Sequence, residues 1–127
     1  MKIFDCFSYW DEDFLLDLRL NILGDHIDFF VIVEGNKTWQ NNTKKLKFDI
    51  KKFEKFRDKI IYIPVEDMPS GDNPYLRENF QRNCINRGLT KADKNDLIFI
   101  SDLDEIPNPE NFKKFKVNMR YAVFKQS

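Results

Sequence analysis

No charge of one sign dominates this sequence: 21 Lys+Arg residues face 21 Asp+Glu, for a formal net charge of +0 at pH 7. A basic surface for nucleic acid or for an anionic membrane is therefore not expected. No apolar run approaches the ~20 residues that a membrane-spanning helix needs. The first residues, Met1-Lys2-Ile3-Phe4-Asp5, also lack the extended apolar region of a secretion signal. Of cysteine there are only 2, Cys6 and Cys84, too few for a disulfide framework and not in a metal-type spacing. One falls in an apolar strand pattern and the other on a helical apolar stripe. Buried, reduced thiols in a reducing, cytoplasmic compartment are the expectation. Asn36-Lys37-Thr38 and Asn41-Asn42-Thr43 fit the N-glycosylation pattern, but without a secretion signal they are expected to stay unmodified. Internal repeats and low-complexity linkers are absent as well.

What is present is enough for one folded domain over residues 1–127, with 42% hydrophobic residues and 13 Phe to build its core. Residues 3–9 alternate and are aromatic-rich, a first strand. Asp11-Glu12-Asp13 then places acids where a helix dipole favours them. Phe14, Leu15, Leu18 and Ile22 follow at helical spacing, with Asp17 and Arg19 on other faces and Gly24 as a C-cap. Residues 29–33 form a continuous apolar run, the pattern of a strand buried on both faces. A polar loop of residues 35–45 follows, long enough to suggest a functional role. Phe48, Phe53, Phe56 and Ile60, set among lysines, predict an amphipathic surface helix over a solvated charge run. Residues 60–65 form a third strand, followed by a loop at 67–74. Leu76, Phe80, Cys84 and Ile85 then mark the apolar face of a helix ending near Gly88. A fourth strand lies at 97–100, a short helix at 110–115 and a further strand at 121–124.

This alternation predicts an α/β fold, an open and mainly parallel sheet with helices on both faces. Right-handed crossovers bring the carboxyl ends of the strands to one edge. Ser8-Tyr9-Trp10, Glu34-Gly35-Asn36, Glu66-Asp67 and Asp102-Leu103-Asp104 are expected to gather there, at the edge where such sheets bind ligands.

The sharpest chemical signal is the fourth strand and its tip, residues 96–107. Leu97-Ile98-Phe99-Ile100 is apolar throughout, and Asp102, Asp104 and Glu105 follow before Pro107 and Pro109 end any central strand. Carboxylates crowded at such a tip repel unless a cation or a proton sits among them. Residues i and i+2 of an extended segment point to one side, so Asp102 and Asp104 are candidate ligands of one Mg²⁺ or Mn²⁺ ion. The plain alternative is that they are solvated loop acids or caps for the helix near Glu110. Arg77 and Arg82 flank the polar side of the preceding helix and are candidate phosphate contacts. Glu34 is a candidate acceptor for a base or ribose. Trp39 is a candidate stacking surface, Trp10 is better placed in the core, and His26 reads as structural.

With those residues assembled, a resemblance is visible. Asp13-Phe14-Leu15-Leu16-Asp17-Leu18-Arg19, Leu23-Gly24-Asp25, Asp28-Phe29-Phe30-Val31-Ile32-Val33-Glu34, Asn36-Lys37-Thr38, Leu46-Lys47-Phe48 and Ser101-Asp102-Leu103-Asp104-Glu105-Ile106-Pro107 resemble glycosyltransferase family 17. The match keeps order and spacing from about residue 4 to residue 126. The resemblance implies a GT-A fold, a UDP-sugar donor (UDP-N-acetylglucosamine for the best-known members), a glycan acceptor, and inversion at the anomeric carbon. It also implies that Asp102 and Asp104 form the motif for metal and diphosphate, and that Glu34 and Asn36 match the signature near the nucleoside. The family pattern continues for a comparable length beyond residue 126, and the general base is expected there, so the catalytic residue is not assigned. The known vertebrate members carry a membrane anchor, which this sequence does not show; that favours a relative acting inside the cell.

Two other readings compete. A buried strand ending in Asp-x-Asp also opens haloacid-dehalogenase phosphatase sites, where the first Asp is the nucleophile. That family, however, places the strand near the start of the chain and needs a later Lys. A truncated, non-catalytic nucleotide-sugar-binding domain is the other reading, and its open sheet edge would invite homo-oligomers.

Overall fold

In the computed structural model, which describes residues 1–109, the first strand is the middle of everything that follows. The elements run β1 (Ile3–Ser8), α1 (Asp13–Leu23), β2 (Phe29–Gly35), a 3₁₀ segment (Ile50–Lys59), β3 (Ile60–Val65), α2 (Pro74–Asn83), a second 3₁₀ segment (Cys84–Gly88) and β4 (Leu97–Ile100). The four strands make one sheet in the order β3-β2-β1-β4, and every pairing is parallel. The chain steps outward from β1 to β2 to β3, then crosses back to lay β4 on the other side of β1. That reversal opens a crevice between the carboxyl ends of β1 and β4. The expected helix at 110–115 and strand at 121–124 lie outside the described residues.

Both faces of the sheet are covered, as parallel sheets require. On one, Phe7, Phe30, Ile32, Leu97 and Phe99 pack against Leu16, Leu20 and Leu23 of α1 and against Phe53 and Phe56. On the other, Phe4, Cys6, Val31, Val33 and Ile98 meet Met68, Cys84 and Ile85. Both cysteines are buried free thiols, and burial pushes the Cys6 thiol well above its ordinary range.

Helix α1 turns a different face inward from the one its apolar spacing suggests. Phe14, Leu18 and Ile22 are exposed, Phe14 by 81%, while Leu16, Leu20 and Leu23 are buried together with Arg19. The helix is apolar on two sides, and a buried Leu or Phe contributes about 1.5–3 kcal/mol on either. Hydrophobicity therefore decides little between the two rotations. Asp5 decides it: this carboxylate is buried in β1, and leaving it unpaired would cost about 3–5 kcal/mol. Only the observed rotation brings the Arg19 guanidinium to it, with Nη2 to Oδ1 at 2.7 Å.

Gly24 is the C-cap of α1 as expected, in right-handed geometry; its lack of a side chain matters because an added Cβ would lie 2.6 Å from the Phe56 ring. Two other expectations are corrected. The lysine-rich helix is a 3₁₀ segment broken at Phe53 (φ −128°, ψ 36°) and started by the Asp49 carboxylate, which accepts from the Lys51 amide. Phe48 and Ile60, expected on its apolar face, lie outside it, Phe48 before its start and Ile60 as the first residue of β3. The next helix tightens into 3₁₀ after Asn83, leaving Leu76 exposed and burying Arg77 and Gln81.

Gly88 ends that second 3₁₀ segment against the sheet, where an added Cβ would sit 2.5 Å from Val31 Cγ1. Val31 lies mid-sheet between β1 and β3 and has no room to retreat. Gly88→Ala is expected to lower stability by about 1–3 kcal/mol, read as a lower midpoint of urea unfolding with unchanged slope.

Candidate functional site

A cleft of about 340 Å³ opens at the β1/β4 crevice. Ser8 and Trp10 line it from the end of β1, and Ile100, Ser101, Asp102, Leu103 and Asp104 from the end of β4. Glu12 and Leu15 come from the start of α1, Trp39 from the loop after β2, and Glu78, Arg82 and Ile85 from the α2 side. Asp102 and Asp104 therefore share one cleft with Arg82, the helix arginine that the sequence offered as a phosphate contact.

The acidic tip is a tight turn. The Glu105 amide donates to the Asp102 carbonyl at 3.0 Å, and the Asp102 amide donates to Glu105 Oε1 at 3.2 Å. Partial burial raises the Asp102 carboxyl above its ordinary range, and the hydrogen bond and charge of Glu105 raise it further; Arg82 opposes this. The Arg82 guanidinium stands 3.8 Å from Asp102 and 3.7 Å from Glu78. Glu12 is raised too, first by burial and then by the charges of Asp104 and Asp11. The cleft thus holds more negative charge than its own cations neutralise, the condition in which a bound cation is favoured.

Beneath the turn lies a residue that spacing placed on another face of α1. Arg19 is buried against Asp5, with Nε to Oδ2 at 2.8 Å and Nη2 to Oδ1 at 2.7 Å. Nη2 also donates to Ser101 Oγ at 2.6 Å. Nη1 faces three carbonyls of the turn, those of Asp102 (2.9 Å), Leu103 (3.1 Å) and Glu105 (3.1 Å). The sequence held one clue: Asp5 interrupts an apolar strand, and a buried carboxylate needs a partner.

Trp10 and Trp39 meet edge to face, ring centroids 5.3 Å apart, at the cleft. Trp10 is thus at the site and not in the core. Glu12 Oε1 and Trp39 Nε1 are buried without a hydrogen-bond partner among the described residues. Both belong to cleft-lining side chains that the acidic motif gave no reason to select.

The remaining sequence candidates lie elsewhere, so the carboxyl edge does not form one pocket. Glu34 is buried and accepts from Lys44 Nζ (2.9 Å), the Lys47 amide (2.7 Å), the Phe48 amide (3.1 Å) and the Tyr62 hydroxyl (2.7 Å). Its lone pairs are occupied by the protein, and its place is to fasten residues 44–48 over β2 and β3. Arg77, expected on a polar helix side, is buried and donates to the carbonyls of Trp39 and Gly71, both at 2.7 Å; it reaches the cleft only by fixing the Trp39 backbone. Asn36 is held by its backbone to Val65 and Lys44, and its side-chain oxygen is buried without a partner among the described residues. Asp67 pairs with Arg87 at 2.8 Å.

For a metal, the donor chemistry fits one kind of site and not another. Among the described residues no three His, Cys, Asp or Glu side chains converge as a metal cage. Two aspartates are what Mg²⁺ or Mn²⁺ needs when substrate phosphates and water complete the shell. Asp102 and Asp104 would hold such a cation.

A four-stranded parallel sheet with helices on both faces makes this an α/β protein, and a charged cleft lies at the switch point where sheets of this class bind ligands. Comparison with known proteins gives the particular kind. The model of glycosyltransferase family 17 matches residues 1–121, and the chain belongs to that family. It is 34% identical over 104 residues to the human (Homo sapiens) beta-1,4-mannosyl-glycoprotein 4-beta-N-acetylglucosaminyltransferase, covering 73% of this chain. The Rattus norvegicus and Mus musculus proteins of the same name are 34% and 33% identical over the same length. The chain spans only 19% of the length of each of these relatives. No solved structure gives a significant match.

The Glu34 network has a pH signature. Burial alone would raise this carboxyl, but the hydrogen bonds from Lys44, the Lys47 amide, Tyr62 and the Phe48 amide outweigh it and hold it below the ordinary 4.5. Its contribution is then complete above the unfolded value and is lost as the pH falls through the lower folded one. Glu34→Gln is expected to cost about 1.5–3 kcal/mol at neutral pH, with the gap to the parent closing below about pH 4, measured by urea unfolding across pH.

Proposed function

We propose that this chain is the donor-binding part of a glycosyltransferase that moves a sugar, N-acetylglucosamine, from its UDP carrier to a glycan acceptor with inversion. The observation that carries this is Asp102, Asp104 and Arg82 lining one cleft at the β1/β4 switch point in a chain of glycosyltransferase family 17. The names of the relatives support the sugar and the class of acceptor. The parallel sheet and its acidic strand tip agree with a GT-A arrangement.

In this reading the nucleoside enters beside Trp10 and Trp39, whose ring faces and edges suit a base or a sugar. Arg82 turns from Asp102 and Glu78 toward the diphosphate oxygens, for which a guanidinium is a two-pronged partner. Asp102 and Asp104 would hold a divalent cation beside that diphosphate. When bound, such a cation supplies Lewis-acid stabilisation of the leaving group. The acceptor hydroxyl oxygen bonds to the anomeric carbon from the face opposite UDP as the bond from that carbon to the diphosphate oxygen breaks. The hydroxyl proton passes to a base, a role no described residue is assigned.

A phosphatase reading of Asp102-Leu103-Asp104 lacks its lysine: among the described residues no lysine lines the cleft. Calorimetric titration with UDP-N-acetylglucosamine is the direct test. Binding with Mn²⁺ is expected to exceed binding without it at least tenfold, and Asp102→Ala or Asp104→Ala to abolish that gain. Equal affinity with and without metal overturns the metal-dependent donor site, and release of phosphate from an aryl phosphate would favour the phosphatase.

A further inference from the structure

We infer that Arg19, locked to Asp5 beneath the sheet edge, is the positioning residue that sets the Asp102–Asp104 turn for metal-dependent donor binding. This rests on the transferase reading above and deepens it, since Arg19 is not among the residues that line the cleft.

The geometry has three parts. First, Asp5 fixes the guanidinium plane. Two parallel N–H···O bonds of 2.8 and 2.7 Å hold it in one orientation, which a fork matches and an ammonium does not. The Phe7 ring lies 4.6 Å from the guanidinium carbon and covers one face of the group.

Second, the remaining donors are spent on the turn. Ser101 Oγ and the carbonyls of Asp102, Leu103 and Glu105 all accept from Arg19. Three carbonyls gathered onto one cation are turned toward the core, while the Asp102 and Asp104 side chains line the cleft. Leu103, between them, is buried in the core cluster of α1. The turn is thereby pinned by alternation: backbone and Leu103 inward, both aspartates outward.

Third, the turn's other hydrogen bonds are internal: the Glu105 amide to the Asp102 carbonyl, the Asp102 amide to Glu105 Oε1 and the Ser101 hydroxyl to the Glu105 carbonyl. β4 ends at Ile100, and the Ser101 amide makes its last strand-like bond, to the Cys6 carbonyl at 3.2 Å. Past that point two carboxylates and Glu105 repel one another on a short loop. The guanidinium under the carbonyls holds the backbone of that loop from inside without occupying the cleft. Lysine at the same position would keep the charge but could not face Asp5, Ser101 and three carbonyls at once.

The test uses two variants. Arg19→Lys keeps the charge and removes the fork. The double variant Asp5→Leu/Arg19→Met removes the buried pair without stranding either charge, a replacement that proteins commonly tolerate. Each is titrated with UDP in the presence and absence of Mn²⁺, and amide hydrogen exchange is followed across the chain. The expected result is a loss of at least tenfold in the Mn²⁺-dependent gain in UDP affinity, with metal-free UDP affinity within twofold of the parent. The Glu105 amide is expected to exchange at least tenfold faster while amides of β1 and β2 keep their protection. Retention of the metal-dependent gain overturns the inference. So does an equal fall with and without metal, or exchange rising alike throughout the sheet, since either marks Arg19 as ordinary core structure. If the parent itself shows no metal-dependent gain, the metal-dependent donor site fails on its own. Exchange at Glu105 then decides separately whether Arg19 holds the turn, and an unchanged rate there overturns the hold.

Discussion

A carboxylate in the middle of a parallel sheet must find a partner before the sheet can close. Asp5 lies on β1, the strand that pairs with β2 on one side and β4 on the other, and it has no access to water. The Arg19 guanidinium is the answer, and its demands spread outward. It sets the rotation of α1, which in turn decides that Leu16, Leu20 and Leu23 enter the core. Because arginine has more donors than one carboxylate can accept, the surplus reaches the turn after β4. One buried ion pair thus ties the central strand, the first helix and the acidic tip into a single unit. Such a pair is weak evidence for stability, since desolvation consumes much of its attraction. Its stronger consequence is geometric.

The carboxyl edge of the sheet divides into two regions with opposite roles. Above β2 and β3 the acids are spent on protein partners: Glu34 gathers Lys44, Tyr62 and two amides, and Asp67 gathers Arg87, although the Asn36 side-chain oxygen there is buried without a partner among the described residues. Above β1 and β4 they are left open. Asp102 and Glu12 are both raised by burial and by neighbouring acids, and Trp39 keeps a buried indole N–H without a partner among the described residues. Polar groups removed from water without partners are costly in a fold. Where several collect around one cleft, a ligand that satisfies them is the natural explanation. The strand order creates the division, because β1 and β4 flank the point where that order reverses.

Much of this architecture was legible in the amino-acid order. The four strands are continuous or alternating apolar runs bounded by polar turns, and the parallel sheet covered on both faces follows from their alternation with helices. The placement of Asp102 and Asp104 at the strand tip was readable for the same reason, since a short buried strand leaves no doubt about where it ends. The helical faces were less legible. α1 carries apolar residues on two sides, so periodicity alone selected Phe14, Leu15, Leu18 and Ile22; the fold packs Leu15 against the core and leaves the others in solvent. Arg77 was read as a surface cation because arginine usually is one; a local pattern cannot reveal carbonyls waiting at Trp39 and Gly71.

The sequence by itself determined the strands, their parallel arrangement, the acidic motif and, through the spacing of its motifs, membership of glycosyltransferase family 17. Tertiary structure alone decided which charges are partners and which are free. Glu34 and Asp102 are both acids at strand ends, yet one is saturated by protein donors and the other faces a cleft with Arg82. The side-chain partners of Glu34 lie 10 and 28 positions away along the chain, and Arg82 belongs to a helix earlier in the chain than Asp102. Electrostatic and hydrogen-bond partners are chosen by distance in space, and no local pattern of residue types encodes that distance.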